Sequence, residues 1–213
     1  MRFLITAGGT REYLDPVRFI SNASSGRMGY ALAAAALKVG HEVTLITAPT
    51  ALKPPPGAQL IAVESAREMF AAVKEHFARC DCLIMAAAVS DFAPAHRSKT
   101  KIKKDGRLRL TLPLKPTPDI LRWAGRHRSA AQIVVGFALE DRHLRANAER
   151  KMRDKGLDMI VANAPAAINA RTSTVHIKTS DSPWLRIASQ TKTVIAKRVI
   201  SQIHVGWQRR RGK

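Results

Sequence analysis

Four segments of the 213-residue sequence carry side chains whose types and spacing suit chemistry on anions. The first is Ala7-Gly8-Gly9-Thr10, a glycine turn behind a short apolar run. It lacks the full G-x-G-x-x-G spacing, so it is a weak dinucleotide fingerprint, and a tight turn without a ligand is the alternative. The second, residues 18–29, holds Arg18, Asn22, Ser24, Ser25, Gly26 and Arg27. Small residues just ahead of a helix let backbone N–H groups and hydroxyls converge on phosphate oxygens. The two arginines add charge, and the Asn22 amide can hold an oxyanion or carbonyl. A plain helix cap needs one serine and leaves the rest unexplained.

The third segment is Ala86-Ala87-Ala88-Val89-Ser90-Asp91, followed by Lys101-Ile102-Lys103-Lys104. Small residues at a strand end admit a ligand closely, and Asp91 can meet a base edge, a ribose or a hydrated metal. In a hairpin, alternation puts Lys101 and Lys103 on one face, and a solvated hairpin is the plainer reading. The fourth comprises Pro118, Asp119, Ile120 and Leu121 with Phe137, Lys151 and Lys155. Lysines four apart share a helix face and repel each other unless an anion sits between them. An ordinary exposed helix is the alternative.

These segments need elements to hold them. Residues 2–6 predict a buried strand that enters the first glycine turn. A helix should begin near Met28 and end before Gly40, which suits a C-terminal cap. Strands follow at 43–47 and, beyond the Pro54-Pro55-Pro56-Gly57 break, at 60–63. Ser65 and Glu68 form a capping-box pattern ahead of Met69, Phe70, Val73 and Phe77, which recur at helical spacing as core. A strand at 82–88 precedes the basic stretch. There Asp105-Gly106, flanked by residues 101–104 and by Leu108, Leu110 and Leu112, predicts a β-hairpin insertion over about residues 97–116.

Thr117-Pro118-Asp119 reads as a helix start, with proline first and acid in the first turn. Strands at 132–137 and 159–162 are separated by a helix ending at Lys155-Gly156, and the chain closes with two short strands and a helix. In that helix Ile195, Val199 and Ile203 share a face. The alternation predicts an α/β, doubly wound, mostly parallel sheet carrying the hairpin, in one domain over residues 1–213 with a basic tail at 207–213. Ligands of such sheets bind beyond the carboxyl ends of the strands, where all four segments fall.

Composition bounds the partners. Lys and Arg number 36 against 16 acids, a net charge of +20, while apolar residues reach 46%, too many for a disordered basic tail. No apolar run approaches the roughly 20 residues that span a bilayer, and no signal-peptide pattern is present, so a cytoplasmic protein without a membrane partner is expected. Cys80 and Cys82 are too few for a disulfide framework or a structural zinc site. The charge admits nucleic acid, membrane or phosphorylated metabolites. It is concentrated in residues 97–128, 142–155 and 209–213.

Taken in order, these motifs resemble the phosphopantothenoylcysteine synthetase (phosphopantothenate–cysteine ligase) family. The resemblance rests on Thr6-Ala7-Gly8-Gly9-Thr10-Arg11-Glu12, Asp15-Pro16-Val17-Arg18-Phe19-Ile20-Ser21-Asn22 and Ser24-Ser25-Gly26. It continues through Ala87-Ala88-Val89 with Asp91, Lys101-Ile102-Lys103-Lys104, residues 118–121, Val135-Gly136-Phe137-Ala138 and Leu157-Asp158 with Val161-Ala162-Asn163. It implies a Rossmann-like fold and a two-step ligation in coenzyme A synthesis. The carboxylate of 4′-phosphopantothenate would attack CTP to give an acyl-cytidylate and pyrophosphate, and the cysteine amine would then displace CMP.

By the same resemblance, Asn22, Arg18 and Ala88 would serve the intermediate and Lys101 the cysteine step. Gly8, Gly9, Ser24, Ser25, Gly26, Asp91, Lys101, Pro118, Asp119, Ile120, Leu121, Phe137, Lys151 and Lys155 would surround the nucleotide. Mg2+ is expected with the triphosphate, its protein ligands unassigned, and ATP in place of CTP stays open. A homodimer is expected, with the hairpin reaching toward the partner. So is a functional partner, a flavin-dependent decarboxylase, which most bacteria fuse to this domain. The match weakens at Ala164-Pro165-Ala166-Ala167, where the family usually has an acidic residue, and at Glu140-Asp141. Two rivals stand beside it. An NAD(P)-binding reductase would need an acid after the second strand, where Thr47-Ala48-Pro49 has none. A nucleic-acid-binding module would need aromatics interleaved with its basic clusters, and none are.

Overall fold

The computed structural model describes residues 1–106, 109–168 and 170–211. An eight-stranded sheet forms the centre, made of β1 (Arg2–Ala7), β4 (Glu42–Thr47), β5 (Gln59–Ala62), β6 (Cys82–Met85), β9 (Ile133–Leu139), β10 (Met159–Asn163), β11 (Thr172–Thr179) and β12 (Ser182–Thr191). Its order is β12-β11-β10-β9-β6-β1-β4-β5. The six strands from β10 to β5 are parallel, while β11 and β12 return antiparallel at one edge. Two ribbons stand off the sheet. One pairs β2 (Arg11–Tyr13) with β3 (Phe19–Ser21), and the other pairs β7 (Phe92–Pro94) with β8 (Leu114–Pro116).

The parallel strands are apolar on both sides because helices cover both faces. Helices α1 (Arg27–Lys38) and α5 (Lys192–Arg211) pack on one face, where Leu32, Ala33, Ile195 and Val199 meet Ile5, Leu45 and Val135. Helices α2 (Ala66–Phe77), α3 (Ile120–His127) and α4 (Leu144–Asp154) cover the other, where Met69, Val73, Leu121 and Met152 meet Leu4, Leu83 and Ile160. Small residues let α1 come close to β1. A Cβ on Gly29 would lie 2.6 Å from the Ala7 Cβ.

Most expected elements stand where the periodicity puts them. Gly40 has φ +81° just past α1, as a left-handed helix stop requires. The Ser65 hydroxyl accepts from the Glu68 N–H at 3.2 Å, and the Glu68 carboxylate accepts from the Glu64 N–H at 2.8 Å.

Five expectations need correction. The strand expected over 82–88 leaves the ladder after Met85, because the Ala87 N–H donates to the Thr6 hydroxyl at 3.1 Å and Ala88 bridges to Gly9. The two closing strands are long, eight and ten residues. Helix α3 starts two residues later than its proline suggests. Asp119 is its cap, accepting from the Arg122 N–H at 3.0 Å, while Thr117 bonds back to Ser90 and Asp91. The proposed tail is the last turn of α5, and Arg210 there pairs with Asp158; residues 212–213 lie outside the described residues.

The basic β-hairpin differs most. Asp105 and Gly106 do take the left-handed conformations of a tight turn, with φ of 42° and 71°. Yet residues 101–104 and 109–113 form no strand, and the antiparallel pairing lies farther out, at 92–94 with 114–116. The backbone hydrogen bonds of Ile102 go elsewhere, its N–H to Asp15 and its carbonyl to Arg18. Arg107 and Leu108, part of that expectation, lie outside the described residues.

Candidate active site

Where the parallel strands end, their loops and the helix N-termini enclose a cleft of about 760 Å³. One wall is the loop ahead of α1. Gly26 precedes the helix with φ +73°, and no side chain caps it. Ser24, Ser25, Gly26, Arg27 and Met28 all line the cleft, so the N-terminal end of α1 borders it. A Cβ on Gly26 would stand 2.8 Å from the Thr50 methyl, so this close turn requires glycine.

The floor is the stretch after β6, which holds Ala86, Ala87, Ala88 and Val89. Asn22 lies across it, its amide nitrogen donating to the carbonyls of Ala88 at 3.3 Å and Val89 at 3.1 Å. Gly8 and Gly9 stand behind this floor. The Ala88 N–H donates to the Gly8 carbonyl at 2.8 Å, and a Cβ on Gly9 would fall 2.7 Å from the Asn22 carbonyl oxygen. The two glycines thus shape the site from behind the residues that line it.

The opposite wall comes from α3, α4 and the end of β9. Pro118, Asp119, Ile120, Leu121, Phe137, Lys151 and Lys155 all line it. The lysine pair is partly neutralised within the protein. Lys155 donates to the Asp119 carboxylate at 3.1 Å, and Lys151 donates to the Phe137 carbonyl at 2.8 Å. Burial, then the Lys155 charge, lower the pKa of Lys151. Burial alone would raise the Asp119 carboxyl, but the Arg122 N–H and the Lys155 ammonium outweigh it and hold the group below its ordinary range. Asp91 is on the rim and acts electrostatically on Lys151.

Arg18 and Lys101 do not line the cleft. The Arg18 guanidinium is engaged by Asp15, and Lys101 lies exposed beside a separate shallow concavity with Thr100, Ile102, Lys103 and Asp105. Sequence reasoning in turn missed Lys192, Glu140 and Asn163, which do line it. Lys192 opens α5 and donates to the Ala167 carbonyl at 3.2 Å; burial and then Arg27 lower its pKa. Glu140 follows β9 and Asn163 ends β10, so the rule that sites lie at strand ends could have found them. Among the described residues no group of three or more His, Cys, Asp and Glu could cage a metal.

The comparisons agree with this architecture. The family described as DNA/pantothenate metabolism flavoprotein C-terminal domain matches residues 1–205. The chain is similar to the coenzyme A biosynthesis bifunctional protein CoaBC of Borreliella burgdorferi, 36% identical over 204 residues, covering 95% of this chain and 52% of that protein. The Bacillus subtilis protein of the same name is 41% identical over 206 residues, covering 94% and 50%. The chain thus spans about half the length of the curated relatives it matches. A crystal structure of the C-terminal domain of a CoaBC protein superposes with a TM-score of 0.84 at 36% identity, covering 97% of this chain and 95% of that one. No described helix is long and apolar enough to cross a membrane. With the match running through every element that builds the cleft, the chain belongs to the DNA/pantothenate metabolism flavoprotein C-terminal domain family.

Proposed function

We propose that this domain is a phosphopantothenate–cysteine ligase that activates the acid with CTP. One observation carries the reading. The cleft joins a helix N-terminus, a floor of small residues crossed by Asn22, and cations from three helices, Arg27, Lys151, Lys155 and Lys192. A carboxylate is a poor acylating agent because its leaving group would be oxide, whereas a nucleotide ester supplies a good one. Both substrates are polyanions, so cations must offset their repulsion as they meet.

In the first step a carboxylate oxygen of 4′-phosphopantothenate bonds to the α-phosphorus, and pyrophosphate leaves. The Asn22 amide, held at the floor by Ala88 and Val89, would face the acyl phosphate. In the second step the cysteine amine bonds to the acyl carbon, loses a proton, and CMP leaves. Lys101 would assist there and Arg18 in the first step. Because both are off the cleft of their own chain, a homodimer in which the arm crosses to its partner suits the reading. Phe92, Leu110 and Leu114 on that arm are 52%, 50% and 47% exposed, apolar surface that a second copy would cover. Magnesium would arrive with the triphosphate and neutralise its charge. The cytoplasm and a separate or fused decarboxylase complete the proposal.

The test is to supply 4′-phosphopantothenate and magnesium with CTP or, in parallel, ATP, and to measure pyrophosphate. Release with CTP, followed by CMP release on adding cysteine, is expected. No pyrophosphate above background with either nucleotide would overturn the reading.

A further inference from the structure

Asp15 is the most heavily bonded carboxylate near the site, and nothing in the proposed chemistry uses it. Its side chain is fully shielded from solvent. The two carboxylate oxygens do different work. Oδ1 accepts from the N–H groups of Val17 and Arg18, both at 2.8 Å, and so folds the local turn between β2 and β3. Oδ2 accepts from the Arg18 guanidinium at 3.0 and 2.6 Å and from the Ile102 N–H at 3.0 Å, across 87 residues of chain. The Arg18 guanidinium also donates to the Ile102 carbonyl. One ion pair, its carboxylate shielded and its guanidinium partly exposed, therefore grips both backbone groups of Ile102. A further tie, from the Ser98 N–H to the Leu14 carbonyl at 2.8 Å, fixes the start of the same segment.

This latch explains why residues 101–104 make no strand. It also joins two groups that act in different steps of the proposed reaction, Arg18 and the neighbour of Ile102, Lys101. Short charge-assisted bonds from a buried carboxylate are strong and directional. The basic arm has no other described hydrogen bond to the rest of the domain between Lys101 and Asp105.

We propose that Asp15 is a positioning residue, latching the backbone at Ile102 to the Arg18 loop and thereby setting where the Lys101 ammonium can reach during amide formation. The proposal rests on the ligase reading for its second half and on geometry alone for its first. Asp15 touches no substrate in this role; it acts through Arg18 and Ile102.

Two variants separate the parts. Asp15→Asn keeps Oδ1 for the local turn and turns an amide N–H2 toward the donors at Oδ2. Ile102→Pro leaves the Asp15–Arg18 pair intact and removes the Ile102 N–H. Limited trypsin digestion of the full chain, followed by mass spectrometry, reads cleavage after Lys103 and Lys104 against cleavage within α2. Both variants should raise the arm ratio about tenfold, as loss of a bond to a charged acceptor implies. Ile102→Pro should also retain pyrophosphate release while cysteine-dependent CMP release falls about tenfold. If Asp15→Asn does not fold, Ile102→Pro decides alone, since its site is outside the packed sheet. An unchanged cleavage ratio would overturn the latch. Faster cleavage with cysteine-dependent CMP release unchanged would overturn the positioning role. Absence of pyrophosphate release from the unmodified protein would count against the ligase reading instead, with the cleavage ratio still deciding the latch.

Discussion

The Asn22 amide nitrogen donates to the Ala88 carbonyl across 3.3 Å, joining the loop after β3 to the chain that leaves β6. Asn22→Asp would set carboxylate oxygen against the Ala88 and Val89 carbonyls and against two anionic substrates. Pyrophosphate release should fall at least about a hundredfold, the scale seen when one oxyanion donor is lost. Quenched-flow measurement of pyrophosphate checks it, and near-normal release would remove Asn22 from the first step.

Lys151 releases its proton more readily than an exposed lysine, through burial and then the Lys155 charge. A bound polyphosphate favours the protonated form and reverses that shift. Binding of CTP at alkaline pH should therefore take up protons, and affinity should fall as pH rises through the lowered value. Calorimetry in buffers of different ionisation enthalpy gives the sign, and proton release on binding would contradict this account.

Lys192 has no carboxylate partner among the described ion pairs and stands by Arg27 at the α1 end of the cleft. Lys192→Gln should weaken CTP binding about tenfold, the worth of one charge-assisted contact, with thermal stability unchanged or slightly raised because a repulsion is removed. Equilibrium titration with CTP tests this directly.

Gly125 is where α3 passes α4. A Cβ there would lie 1.8 Å from the Lys155 carbonyl oxygen. Gly125→Ala must push the end of α4 away, which should destabilise the fold by about 1–3 kcal/mol and shift Lys155 off Asp119. Urea unfolding should report the first effect and a weaker CTP affinity the second.

Acid should expose the role of Asp15. Burial opposes its ionisation, but the N–H groups of Ile102, Val17 and Arg18 and the Arg18 guanidinium hold its pKa well below the ordinary carboxylate range. A depressed folded pKa stabilises fully above the unfolded value and less as pH falls through the folded one. Urea midpoints of the unmodified chain and Asp15→Asn should differ near neutrality, with the gap starting to close only below about pH 4 and narrowing further as pH falls toward the depressed folded value.

Sequence alone determined the elements and much of the site. Short continuous apolar runs marked β1, β4 and β6, helical spacing of Met69, Val73 and Phe77 marked α2, and the glycine stop at Gly40 marked the end of α1. Asn22, Ser24, Ser25, Gly26, Ala88, Asp91, Phe137, Lys151 and Lys155 were legible because each belongs to a local motif in or next to a strand, at a helix start or, for the lysine pair, on one helix face at its end, and all of them line one cleft. Tertiary structure decided the rest. The order of the strands brings residues 22, 88, 137 and 192 together, and no local pattern encodes that order. It also decided that Gly8 and Gly9 back the floor, that Lys155 is already paired with Asp119, and that Arg210 closes on Asp158. The basic hairpin failed for the same reason. Alternation and an Asp-Gly turn describe what a segment can do alone, whereas the Ile102 backbone binds whichever partner is nearer and more charged, here a buried carboxylate 87 residues away.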